Sequence, residues 1–224
     1  MSYLRPIYVM FQPGITQNEC DAVFSGIRAV LEAAKVSSRI NILNFGAFRM
    51  DPYRHPDGKL ADYRSIDWYL HQGAIHSARP NQLDASVILH CLLTEPWQQH
   101  IRHYDVAVLH SDIYADNNNF IIGVAQPSLG TVISTHRFRN LDRHTQWACV
   151  ETETIHELGH VFGLIPQHRT DNVEDSLGRH CTNRCAMRQG LSVPDDWKQI
   201  SLDRLRHGPF CAICQYDLRV YFRR

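Results

Sequence analysis

The chain has 224 residues, of which 44% are hydrophobic and 21% charged, and its formal net charge is zero. That length suffices for one domain, or for one domain split into two lobes by a cleft. The balanced charge, with no Lys/Arg run, argues against a nucleic-acid partner or an anionic membrane surface. No apolar stretch approaches the roughly 18 residues of a membrane-crossing helix. Residues 1–12 lack the apolar region and small-residue cleavage site of an export signal. A cytoplasmic monomer is expected.

Taken in chain order, residues 6–11 read as a strand, stopped by Pro13-Gly14. Residues 17–34 read as a helix, with Ala22, Val23, Ile27, Val30 and Leu31 on one face. A second strand follows at 38–45. The stretch 49–73, rich in His, Asp and Tyr, reads as a surface excursion. Residues 82–102 read as helical, broken near Pro96. Strands follow at 104–110, 119–125 and 130–135, the last two separated by a turn at 126–129. The strand at 119–125 suits either a sheet edge that could take up an extended peptide or an ordinary interior position.

From Asp142 the apolar period becomes helical, with Ala148, Ile155, Leu158 and Phe162 facing a core and Gly163 as the stop. Residues 165–179 are polar and turn-prone, 195–206 read as a short helix, and the tail 215–224 has strand-like residues. This order predicts an α/β (α+β) chain: a mixed twisted sheet backed by helices, with a smaller C-terminal lobe. The whole chain, 1–224, is read as a single domain, with lobes parting at 163/164.

The chemistry concentrates in the last third. His156 and His160 are separated by one helical turn, so both imidazoles lie on one face and reach one metal ion. Glu157 stands beside them as a candidate general base. Zinc in such a site lowers the pKa of a coordinated water toward ~7 and polarises a carbonyl. Gly163 lets the chain leave the helix through a left-handed turn and swing back with a third ligand. The strict pattern HExxHxxGxxH fails here, because Pro166 occupies the last position.

There are seven cysteines. Three are scattered: Cys20, Cys91 and Cys149. The other four form two close pairs, Cys181 with Cys185 and Cys211 with Cys214. An odd count without an export signal argues against a disulfide framework, and two close pairs argue for a metal. The alternative is four buried free thiols.

His156-Glu157-Leu158-Gly159-His160, Gly163, His180-Cys181, Cys185-Ala186-Met187 and Cys211-Ala212-Ile213-Cys214 together resemble the archaemetzincin family of metzincin-type zinc metallopeptidases. The resemblance covers roughly the last 80 residues by motif. It implies a metzincin-like fold with an active-site helix, two zinc ions per chain, one catalytic and one structural, and a peptide or protein substrate. It implies His156, His160 and His180 as catalytic-zinc ligands, Glu157 as the base, and Met187 as the turn beneath the metal. It implies Cys181, Cys185, Cys211 and Cys214 as the structural site.

This chain departs from the family pattern in three ways. Residues 165–179 stand where the family has one residue, Cys181 and Cys185 are one residue closer together, and Met187 lies farther from Cys211. The third ligand therefore has two candidates, His180 and His168. Lengthening a loop from ~3 to ~17 residues costs only about 1.5 kcal/mol. A structural zinc site next to His180 contributes ~10 kcal/mol or more, which favours His180.

Two further helix residues have alternative readings. Cys149 reads as a partly buried thiol too far from His156 to share its metal. Glu153 reads as a solvated helix charge rather than a carboxylate behind the ligands. Besides peptide hydrolysis, a catalytically silent zinc-stabilised binding module and a hydrolase of non-peptide amides fit the same ligands. The presence of Glu157 speaks against the silent module.

Overall fold

The computed structural model describes residues 4–46, 66–95, 98 and 101–223. Along the chain the elements are β1 (Ile7–Phe11), α1 (Gln17–Ala34), β2 (Ile42–Gly46), α2 (Ile66–Ile75), β3 (Leu83–Asp84), α3 (Ala85–Leu93), β4 (Tyr104–Leu109), β5 (Ile113–Tyr114), β6 (Gly123–Gln126), β7 (Gly130–Ser134), α4 (Arg143–Val161), β8 (Val173–Glu174), β9 (His180–Cys181), α5 (Asp195–His207) and α6 (Ala212–Tyr221). They fall into two compact units, Met1–Ile15 with Arg39–His136 and Thr16–Ser38 with Arg137–Arg224. Helix α4 shares a unit with the C-terminal cysteines.

The first unit is a mixed α/β layer. Its five-stranded sheet has the order β2-β1-β4-β7-β6. The first four strands are parallel and β6 is antiparallel to β7. Every residue of β1, β4 and β7 is buried, which is why these strands read as nearly unbroken apolar runs rather than alternating ones. Met10, Ala107, Leu109 and Val132 of the sheet pack with Ile66 and Tyr69 of α2 and Ile88 and Leu92 of α3. Asp84 starts α3 by accepting from the amides of Ser86 and Val87 at 3.0 and 3.1 Å.

Three expectations are corrected here. The stretch 49–73 is not wholly a surface excursion, because α2 begins at Ile66 and buries Ile66, Tyr69 and Gly73 at helical spacing. The remainder, to residue 65, lies outside the described residues, as does the expected break at Pro96. The strand expected from 119 starts only at Gly123 and holds the edge of the described sheet. The tail is helix α6, not a strand: Cys214 and Leu218, one turn apart, are its buried residues, and this helical spacing overrides the β-propensity of Tyr216, Val220 and Tyr221.

The second unit is built around α4. Asp142 caps its start, accepting from the amides of His144 and Thr145, and Gly163 follows its end in the left-handed conformation (φ +67°). From Ala148 through Gly159 every residue is buried. Helix α1 begins with a capping box between Thr16 and Glu19 and runs close against α4. A Cβ on Gly26 would lie 2.8 Å from both the Glu151 carbonyl oxygen and the Thr154 Cβ. Gly26→Leu is expected to destabilise the protein by about 1–3 kcal/mol through overpacking, read as a lower urea midpoint with an unchanged slope.

Candidate metal centre

Two groups of side chains meet in the second unit. The ligand atoms of His156, His160 and His180 lie within 4.8 Å of one another, and so do the sulfurs of Cys181, Cys185, Cys211 and Cys214. His168 is exposed in a turn and belongs to neither group.

Helix periodicity delivers the first pair. His156 and His160 sit one turn apart on α4, with their Nε2 atoms 3.2 Å apart. His156 donates its Nδ1–H to the carbonyl of Ala186 at 2.7 Å, and His180 donates its own to Gly178 at 3.1 Å. Both bonds fix the tautomer that leaves the Nε2 lone pair free for a metal. The stacked rings of His156 and His180 have centroids 5.1 Å apart.

His180 arrives by a device not visible in the sequence. Segment 165–179 folds back so that β8 pairs antiparallel with β9, setting Val173 opposite Cys181 and Glu174 opposite His180. One more backbone bond extends the contact, Thr182 N–H to Asn172 O at 3.0 Å, and the Cys181 N–H donates to Met187 O at 2.8 Å on the side of the Met187 turn.

Met187 lies directly under α4. A Cβ on Gly159 would collide with its sulfur, so the turn depends on a helix position without a side chain. Trp197 of α5, buried, stands edge-on to His156 with centroids 5.7 Å apart. The sequence reading had not singled it out. Its only signal was an aromatic residue in a short helix following the Met187 turn.

The spacings suit zinc. Zn–N bonds of 2.0–2.1 Å at tetrahedral angles set ligand nitrogens about 3.3 Å apart, and Zn–S bonds of ≈ 2.3 Å set sulfurs about 3.8 Å apart. Cys181–Cys211 and Cys185–Cys214 are each separated by 3.8 Å, nearly twice the ≈ 2.05 Å of a disulfide. All four thiols are free. Three imidazoles leave one coordination position open, as catalytic sites do, whereas four thiolates close the shell, as structural sites do.

Burial holds the imidazoles neutral. It pushes His156 well below its ordinary value, helped by His160 and His180. Burial and His180 bring His160 to about 3, and burial lowers His180. Within the thiol cluster, a hydrogen bond from Cys185 pulls Cys181 down to about 6. Hydrogen bonding with Cys181 pushes Cys185 up.

Glu157 is buried beside the histidines. The expectation for Glu153 is overturned. It is 1% exposed, not solvated, because α4 is enclosed over this stretch. Burial and the neighbouring Glu157 carboxylate push its pKa well up. Cys149 is fully buried and accepts from Ser201 Oγ at 3.6 Å.

No protein-family model matches the chain. Two curated archaemetzincins are similar to it. That of Nanoarchaeum equitans is 38% identical over 87 residues, 39% of each chain. That of Archaeoglobus fulgidus is 34% identical over 118 residues, 51% of this chain and 59% of the relative. The matched parts span 39% and 59% of those relatives, less than two-thirds of either. The crystal structure of an archaemetzincin from Methanopyrus kandleri superposes with a TM-score of 0.63 at 21% identity, covering 99% of this chain and 97% of that one. A zinc-dependent peptidase from Methanocorpusculum labreanum gives 0.54 at 19% identity, covering 95% and 99%. At these identities the likeness of the structures is one of fold.

Two outcomes are expected of this geometry. Gly159→Ala forces Met187 out of its seat and lowers both the thermal midpoint and the metal content of the histidine site. An unchanged metal count would show that the seat is not needed. In the metal-free protein His160 is neutral when folded, whereas the unfolded chain protonates it below 6.5. Its contribution to stability is therefore whole above 6.5 and is lost as pH falls toward 3, at up to about 1.4 kcal/mol per pH unit. Glu153 pulls the other way above 4.5. The wild type is therefore compared with His160→Gln in urea titrations at several pH values, and the gap between them should change across this window.

Proposed function

We propose that this chain, a member of the archaemetzincin family by its fold and by its sequence over the helix and cysteine region, is a zinc metallopeptidase that hydrolyses peptide bonds in a peptide or protein, acting as a monomer. The observation that carries the reading is the convergence of three imidazole donors, two with their Nδ1–H tied to backbone carbonyls, beside a buried carboxylate. His156, His160 and His180 would hold the catalytic zinc. Cys181, Cys185, Cys211 and Cys214 would hold a structural one. Zinc at the histidines supplies Lewis acidity, which acidifies a water and polarises a carbonyl.

The chain's own groups do the rest. Glu157 takes the proton from the attacking water and passes it to the leaving amine. Two hydrogen bonds keep the imidazoles oriented, Ala186 O to His156 and Gly178 O to His180. Met187, packed beneath Gly159, supports the helix carrying two of them. The exposed His168 has no part.

Zinc counting and peptide cleavage on the wild type and three variants test this. Wild type and Glu157→Ala should each carry two zincs per chain, with cleavage falling by about 10²–10⁴-fold in Glu157→Ala alone. His180→Ala should lose the catalytic zinc and His168→Ala should not. The reverse pattern for the two histidines would reassign the third ligand. Wild-type zinc without cleavage of any peptide in a diverse library would favour a silent binding module.

A further inference from the structure

The group left unused by the proposed chemistry is Arg169. It stands in the middle of segment 165–179, yet its side chain is buried, with only 6% of the residue exposed. A guanidinium offers five N–H donors in a fixed plane, and here all five are placed. Nε donates to Asp171 O at 3.0 Å. One terminal nitrogen donates to Cys214 Sγ at 3.3 Å and to Asp217 Oδ2 at 2.9 Å. The other donates to Cys181 Sγ at 3.2 Å and to Asn172 O at 3.4 Å. One side chain thus joins the connecting segment, the first tail cysteine and helix α6.

We infer that Arg169 is a positioning residue for both metal sites: it clamps the Cys181 and Cys214 thiolates, sets the affinity of the cysteine cluster for its ion, and through Cys181 holds His180 in line. The inference rests on the reading of the four cysteines as a metal site. Four thiolates around a divalent ion leave a net charge of about −2 in a largely buried place, which needs compensation. Among the described residues, Arg169 is the cation whose donors reach two of these sulfurs. Charged N–H···S bonds draw electron density from the thiolates and favour their ionised, metal-binding form.

The same guanidinium fixes the carbonyls of Asp171 and Asn172, immediately before β8. That strand pairs with His180-Cys181. Arg179 braces the segment from its other end, donating to the carbonyls of Arg169, Ile165 and Pro166. Lysine cannot replace Arg169, since a point ammonium with three donors cannot span two sulfurs, a carboxylate and two carbonyls.

The test uses the full-length protein loaded with cobalt(II), whose thiolate charge-transfer absorption reports the cysteine site directly, together with chelator competition. Arg169→Gln and Arg169→Lys should each bind cobalt at the cysteines about 10–100-fold more weakly than wild type, and metal at the histidine site should weaken with it. Asp217→Asn, which removes the ion-pair partner but leaves both sulfur contacts, should stay close to wild type. Arg169→Lys keeps charge and bulk, so it reads the clamp even where Arg169→Gln fails to fold. Wild-type affinity in Arg169→Lys overturns the inference, as does an Asp217→Asn protein as weak as either Arg169 variant. Absence of the charge-transfer band from wild type itself would instead remove the metal-site reading on which the inference stands.

Discussion

His156 donates its Nδ1–H to the carbonyl of Ala186 across 2.7 Å, and the geometry of the candidate centre depends on that bond. It fixes which imidazole nitrogen is free. It also ties the middle of α4 to the turn carrying Met187, the residue after the acceptor. From there backbone bonds run outward in two directions, from Met187 O to the Cys181 amide and from the Ala186 amide to Pro209 O, just before Cys211. The helix ligands, the third histidine and the cysteines are therefore parts of one hydrogen-bonded assembly. Displacing the Ala186 carbonyl would disturb all of them together.

The long connection between Gly163 and His180 follows the same logic. An unstructured loop of that length would bring His180 back at an entropic cost and with little positional accuracy. Instead the segment carries its own strand, β8, and two arginines that consume its carbonyls. Arg179 spans the carbonyls near its start and Arg169 those before β8. Polar composition is what such a segment needs, because its backbone groups are satisfied by guanidinium donors rather than by a regular ladder. A stretch read from composition as turn-prone is for this reason an ordered brace.

Much of this was legible in the sequence where a residue's role depends on its near neighbours. The i, i+4 histidines, the Gly163 stop and the two close cysteine pairs are local patterns, and the structure brings them together as their spacing requires. What was not legible depends on enclosure. Glu153 looks like any helix carboxylate until α4 is seen to be buried over that stretch. Arg169 looks like one of many surface arginines until Cys181 and Cys214, 12 and 45 positions away, turn out to flank it. The tail read as a strand because its residues favour one, and only the burial of Cys214 and Leu218 one turn apart selects the helix. Residues that act across long separations leave no periodic trace.

Burying a helix as polar as α4 requires each charge to be answered, and the answers differ by position. Glu151, one turn before Ile155, meets Arg204 of α5 at 2.5 Å and accepts from Ser25 of α1 at 2.6 Å, so a fixed cation and a hydroxyl answer it. At Glu153, burial and the neighbouring Glu157 carboxylate push the pKa well up, which favours the neutral form. Two carboxyl groups one helical turn apart, one neutralised by its surroundings, avoid the repulsion that two buried anions would suffer at that spacing. A carboxyl beside Glu157 that favours its neutral form, rather than a second charge, lets this stretch of the helix stay buried.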